Sequence, residues 1–171
     1  KKSLSIYIES IQITNDGGFI LAGQSSSADY FAILQRTDRN GNLLWQKEYA
    51  KGSANSIQIS SDGGFIVAGT MEKGYRKEHF YLFKTDRNGN LLWEKIYANG
   101  EARSVQITND GGFIVAGDTD ETLSYSFASL IKTDRNGNLL WQKKYNSGIA
   151  NTVKITNDGG FILAGQSSSA D

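Results

Sequence analysis

The sequence predicts an all-β repeat protein, and three observations lead there. The string TDRNGNLLW occurs three times, ending at Trp45, Trp93 and Trp141, a step of 48 residues each time. A second string, DGGFI followed by Leu or Val and then AG, places Phe at 19, 65, 113 and 161, with steps of 46, 48 and 48. The chain has 19 Gly and no Pro, the composition of tight turns that rely on positive φ angles. Residues 155–171 repeat residues 13–29 letter for letter. Such identity points to recent duplication, a designed array, or a piece of a longer array.

Each repeat reads as four strands, A to D, and residues 56–97 serve as the example. Residues 56–60 (SIQIS) alternate polar and apolar and form strand A. The link SDGG at 61–64 has Asp-Gly at its centre, which predicts a type I′ hairpin turn with positive φ at both central positions. Strand B begins at Phe65 and is apolar throughout, so both of its faces are expected to be covered. Strand C is 80–85 (FYLFKT) and strand D is 90–97 (NLLWEKIY), which mixes Lys and Glu with Leu and Trp and so lies toward solvent. Between them, Asp86 first and Gly89 fourth fit a type I turn closed by a G1 bulge.

Four short strands recurring every 40 to 50 residues are the pattern of a β-propeller, whose blades pack between neighbours while their outer edges stay wet. An open β-solenoid is the alternative, but its repeats run shorter. The expected architecture is therefore all-β: β-propeller blades with four antiparallel strands each, about 3.5 blades in the chain. Residues 1–9 form an N-terminal segment, 10–55 blade 1, 56–103 blade 2, 104–151 blade 3, and 152–171 strands A and B of a half blade 4.

GGFIVAG followed by a C strand and then TDRNGNLLWEK resembles the blade of quinoprotein-like (PQQ-like) β-propeller repeat proteins of bacterial and archaeal type. The resemblance runs from about residue 10 onward. It implies a secreted or cell-surface protein, and it raises the alternative of a fragment of a quinone-cofactor dehydrogenase.

Composition narrows the function classes. Lys+Arg 18 against Asp+Glu 18 gives a net charge of zero, so a nucleic-acid partner is not expected. No apolar run approaches 18 residues, so no membrane insertion is expected either. The absence of Cys removes disulfides, thiolate metal sites and cysteine nucleophiles together. Asp38, Asn40 and Asn42, with their repeats at 86, 88, 90 and 134, 136, 138, space oxygen ligands as a calcium loop begins. Such a loop needs Gly at position 6 and Glu at position 12, whereas Gly stands at position 4 and Tyr49, Tyr97 or Tyr145 at position 12. The reading is therefore a turn, and no metal or cofactor is expected. The single histidine, His79, does not build a triad or a zinc site. Trp45, Trp93 and Trp141 hold one place in every strand D, which argues for packing between blades over sugar stacking.

Variation is concentrated on one face. The A to B and C to D turns are nearly constant. The B to C loops differ in length and content: QSSSAD at 24–29, TMEKGYRKEH at 70–79 and DTDETLSYS at 118–126. The D to A connections AKGSAN, ANGEAR and NSGIAN differ too. Both sets emerge at the same end of an up-and-down blade, and loops on a rigid scaffold are where binding residues gather. The candidate ligand-binding residues are Tyr75, Arg76, His79, Glu101, Arg103, Asp118, Asp120 and Tyr125. The expected function is a non-enzymatic scaffold or binding module with a protein or glycan ligand; a lectin-like propeller is a further alternative, although its repeated sugar sites would require matching loops. Three and a half blades do not close around an axis. Self-association into a dimer of about seven or eight blades, or another closed ring, is expected, with residues 3–8 (SLSIYI) as a closing strand for a partner's unfinished blade.

Overall fold

The computed structural model describes residues 6–26, 29–74, 78–122 and 125–167. The described chain is all-β. Its eleven strands are β1 (Ile6–Ile13), β2 (Phe19–Ser25), β3 (Phe31–Thr37), β4 (Leu43–Ile59), β5 (Phe65–Glu72), β6 (Glu78–Thr85), β7 (Leu91–Ile107), β8 (Phe113–Thr122), β9 (Tyr125–Thr133), β10 (Leu139–Ile155) and β11 (Phe161–Ser167). Each strand pairs antiparallel with the next in chain order, so the sheet runs from β1 to β11 without a crossover.

Strands β4, β7 and β10 have 17 residues each, because strand D of one repeat runs unbroken into strand A of the next. In β4, the stretch from Leu43 to Lys51 pairs with β3, and the stretch from Gly52 to Ile59 pairs with β5. The polar stretches AKGSAN, ANGEAR and NSGIAN are thus strand rather than loop. The changeover falls at Gly52, Gly100 and Gly148, with φ of 140°, 125° and 149°. A side chain at Gly52 or Gly100 would run into the carbonyl oxygen of Thr70 or Asp118 on the neighbouring strand. Glycine keeps the ladder intact while the strand changes partner.

The A to B turns correct the expected turn type. In 60–64 the Gly63 N–H donates to the Ser60 carbonyl at 2.9 Å, and the Ser60 N–H donates to the Gly64 carbonyl at 2.9 Å. The central pair is therefore Ser61-Asp62, and Gly63, at φ 78°, is the bulge residue. This is a type I turn with a G1 bulge, the pattern that 86–90 also shows. Asp62 favours it: its carboxylate accepts from the Ser60 hydroxyl at 2.6 Å and from the Gly64 N–H at 2.9 Å. Residues 6–8, the described part of the expected closing strand, are already paired with β2, Ile6 opposite Ser25 and Ile8 opposite Gly23.

The apolar B strands are covered on both faces because successive repeats stack. Phe65 and Val67 of β5 pack with Ile20, Ala22 and Leu34 of the preceding repeat. Their neighbours Ile66 and Ala68 join Ala102, Val105 and Val115 of the following one. A third cluster joins Ile114 and Ala116 to Ala150 and Val153. The repeated tryptophans lie against the next repeat: Trp45 is 6.2 Å from Phe65, Trp93 5.9 Å from Phe113 and Trp141 6.1 Å from Phe161, ring centre to ring centre.

Candidate functional site: the cavity beside strands A

The strand A stretches stand side by side at the inner end of each repeat. Backbone N–H groups of Ile57, Val105 and Val153 donate to the hydroxyls of Ser10, Ser56 and Ser104 at 3.3, 3.2 and 3.2 Å. The same residue one repeat back thus tethers each inner strand to the one before it. Beside these strands, at the end where strands A begin, lies a cavity of about 620 Å³.

Its wall contains one column of the repeat: Glu9, Asn55, Arg103 and Asn151. These residues occupy equivalent places beside the tethering hydroxyls, and the column reads Glu, Asn, Arg, Asn along the chain. Tyr7, Tyr30, Glu78 and Glu101 also line it, with smaller polar side chains such as Ser53 and Thr70 between them. Asn55 donates its side-chain N–H groups to Glu101 at 3.0 Å and to the Ala102 carbonyl at 2.9 Å, bridging two repeats. The Arg103 guanidinium lies between two carboxylates, Glu101 at 2.5 Å and Asp118 at 2.8 Å. Burial pushes the Glu101 carboxyl above its ordinary value against the lowering pull of Arg103. Burial also raises the Tyr30 phenol, with the charges of Glu78 and Glu72 adding to the effect. The result is a fixed set of hydrogen-bond donors and acceptors flanked by two phenol rings.

The structure brings together three of the eight sequence candidates. Glu101 and Arg103 line the cavity, and Asp118 is buried behind Arg103, holding it. Asp120 is exposed and accepts from the Ser126 hydroxyl at 2.7 Å, outside the cavity wall. His79 sits in β6 between Met71 and Asn99 of the adjacent strands and does not line the cavity. Tyr75 and Arg76 lie outside the described residues, and for Tyr125 only the backbone pairing with Thr122 in β9 is described. Sequence reasoning missed Tyr7, Glu9, Tyr30, Asn55, Glu78 and Asn151. The available signal was a variable column beside the otherwise regular strand A pattern, at 9, 55, 103 and 151.

The Asp-Asn turns spend their carboxylates internally. Asp86 accepts from the backbone N–H groups of Asn88 and Asn90, each at 2.8 Å, and from the Asn90 side chain at 2.8 Å. Asp38 and Asp134 do the same in their own turns.

No protein-family model and no curated protein matches the chain. Among solved structures, the Dos1 propeller is similar over 93% of this chain, with 18% identity and a TM-score of 0.65. The fold is that of a β-propeller. The chain spans 42% of the Dos1 propeller chain, and its sheet is open, with β1 and β11 at opposite ends. Sqt1 from Chaetomium thermophilum matches with 8% identity and a TM-score of 0.34, too low to bear on the fold.

Proposed function

We propose that the chain is a non-enzymatic β-propeller repeat module of the quinoprotein-like kind, secreted or displayed at a cell surface, that binds a glycan in the cavity beside strands A. It is read as three four-stranded blades and the inner half of a fourth, completed into a closed ring by self-association. The observation behind the binding role is the contrast between a repeated scaffold and a column of the cavity wall that carries Glu9, Asn55 and Arg103 before returning to Asn at Asn151. A cavity of about 620 Å³ is within the range of small-ligand sites. Amide, carboxylate and guanidinium groups fixed in place suit a ligand rich in hydroxyls, and Tyr7 and Tyr30 add aromatic side chains to the same wall.

A glycan array probed with the labelled protein tests the reading. Binding to a defined glycan class should fall at least tenfold in Arg103→Ala and Asn55→Ala, while circular dichroism stays unchanged. An array without binders, or binding indifferent to both substitutions, would overturn it.

A further inference from the structure

We propose that the clefts between consecutive repeats, at the end where the nearly constant turns lie, are equivalent subsites for a linear uronate glycan, each taking one sugar carboxylate on the guanidinium of Arg87 or Arg135. They lie at the other end of the strands from the cavity lined by Arg103 and stand independently of it.

Two cavities of about 630 and 560 Å³ occupy the same place one repeat apart. The first lies between the A to B turns at 14–18 and 60–64, the second between those at 60–64 and 108–112. Both are built entirely from residues 14–135, and both are within the range of small-ligand sites. Their walls correspond: Ile59 and Phe65 in the first stand where Ile107 and Phe113 stand in the second, and the exposed Arg87 answers to the exposed Arg135.

The turn carboxylates in these clefts are already spent. Asp16 pairs with Arg36 at 2.5 Å, Asp62 with Lys84 at 2.5 Å and Asp110 with Lys132 at 2.9 Å, each cation coming from strand C of the same repeat. Arg87 and Arg135 make no hydrogen bond or ion pair among the described residues. One guanidinium per cleft is therefore left over, beside an Ile and a Phe. Its planar fork matches a single carboxylate, and the paired aspartates alongside weigh against a dianion such as a phosphate ester. Ser61 in the first cleft and Asn109 in the second add polar groups for the hydroxyls of a sugar.

Folding gives no reason for these arginines. Arg stands at 39, 87 and 135, exposed in all three repeats, whereas strand B changes from Leu21 to Val67 and Val115 and the column at 9, 55 and 103 diverges altogether. A residue held constant without a bond of its own, while packed positions drift, is accounted for by something outside the chain. Two like subsites one repeat apart suit a polymer whose own units repeat. Once one carboxylate is seated, the next meets its arginine at high effective concentration, so affinity grows with ligand length.

Calorimetric titration of the whole chain with oligogalacturonates of rising length tests the proposal. Affinity should rise with length, fall at least fivefold in Arg87→Gln and in Arg135→Gln, and lose its length dependence in the double variant. Thermal midpoints of these variants should match the parent, because neither arginine is bonded within the chain. Arg103→Ala, in the other cavity, should leave this binding unchanged. An absence of binding, binding indifferent to Arg87 and Arg135, equal binding of the methyl-esterified oligomers, or tighter binding of oligoglutamate overturns the proposal and leaves the glycan reading of the cavity beside strands A standing. Binding lost in Arg103→Ala but kept in both glutamine variants overturns it in favour of that cavity.

Discussion

The middle repeats and the last half-repeat carry the same side chains in different surroundings. Trp93 and Tyr97 close on the Gly137 turn, and Asp110 has Lys132 at 2.9 Å. Trp141 has Phe161 but no following C to D turn among the described residues, and Asp158 is held only by the Thr156 hydroxyl and the Gly160 N–H. A repeat sequence therefore does not determine the stability of a repeat; the neighbour it closes upon does, as nearest-neighbour coupling in arrays requires.

Substitutions can break that comparison, provided they are measured in solutions dilute enough to keep copies apart. The largest expected effect is at tryptophan. Trp93→Ala should destabilise by about 3 kcal/mol in chemical denaturation, against about 1 kcal/mol for Trp141→Ala, because only the first empties a contact between two complete repeats. Equal losses would mean that the Phe partner alone decides the matter.

Next come the turn glycines. Gly41→Ala and Gly89→Ala both place a side chain in the left-handed region, at about 1 to 2 kcal/mol each. Gly89→Ala also drives a methyl group into the Trp45 ring, so its thermal midpoint should fall further than that of Gly41→Ala.

At tyrosine the difference is smaller. Tyr97→Phe loses the bond to the Gly137 carbonyl and should cost about 1 kcal/mol, whereas Tyr145→Phe should leave the denaturation midpoint unchanged.

The smallest effect is pH-dependent. Lys84, the Ser60 hydroxyl and the Gly64 N–H overcome the raising effect of burial and hold the Asp62 carboxyl at about 2. A folded value below the unfolded one means that the stabilisation is complete above the ordinary carboxylate value of about 4 and is lost as pH falls from there toward 2. Denaturation midpoints measured from pH 5 to pH 2 should therefore fall less steeply in Asp62→Asn. Asp158→Asn should track the parent more closely, since no cation pairs with Asp158 among the described residues.

Much of the fold was legible because it is local chemistry repeated: the Gly at the fourth place of 86–89, the unbroken apolar run at Phe65, and the Trp at a fixed place in strand D each have one good use in a stacked sheet. The changeover at Gly52, Gly100 and Gly148 was not legible. Glycine among Ala, Lys, Ser and Asn has the composition of a loop, and only the facing carbonyl on the next strand shows that the residue belongs to a ladder. The A to B turn misled in a similar way, since Asp62-Gly63 has the sequence of a type I′ centre while the Asp62 side-chain bonds place the bend one residue earlier. At the site, Glu101, Arg103 and Asp118 stood out by their variation. Asn55 and Asn151 were passed over within the variable connections AKGSAN and NSGIAN, and Asn55 meets its partners Glu101 and Ala102 46 and 47 residues away, which sequence adjacency does not display.

The three changeover glycines separate two properties that most loop-built arrays tie together. Where units are joined by loops, lengthening a joint can alter the angle at which the next unit sits. Here the joint is continuous strand, and each changeover is made at a glycine with φ between 125° and 149°. The joint is therefore held by the ladder itself, while the B to C links vary in length beside it. Such a chain can revise those links without breaking the ladder, whereas a side chain at Gly100 would meet the Asp118 carbonyl and break it while leaving the links untouched.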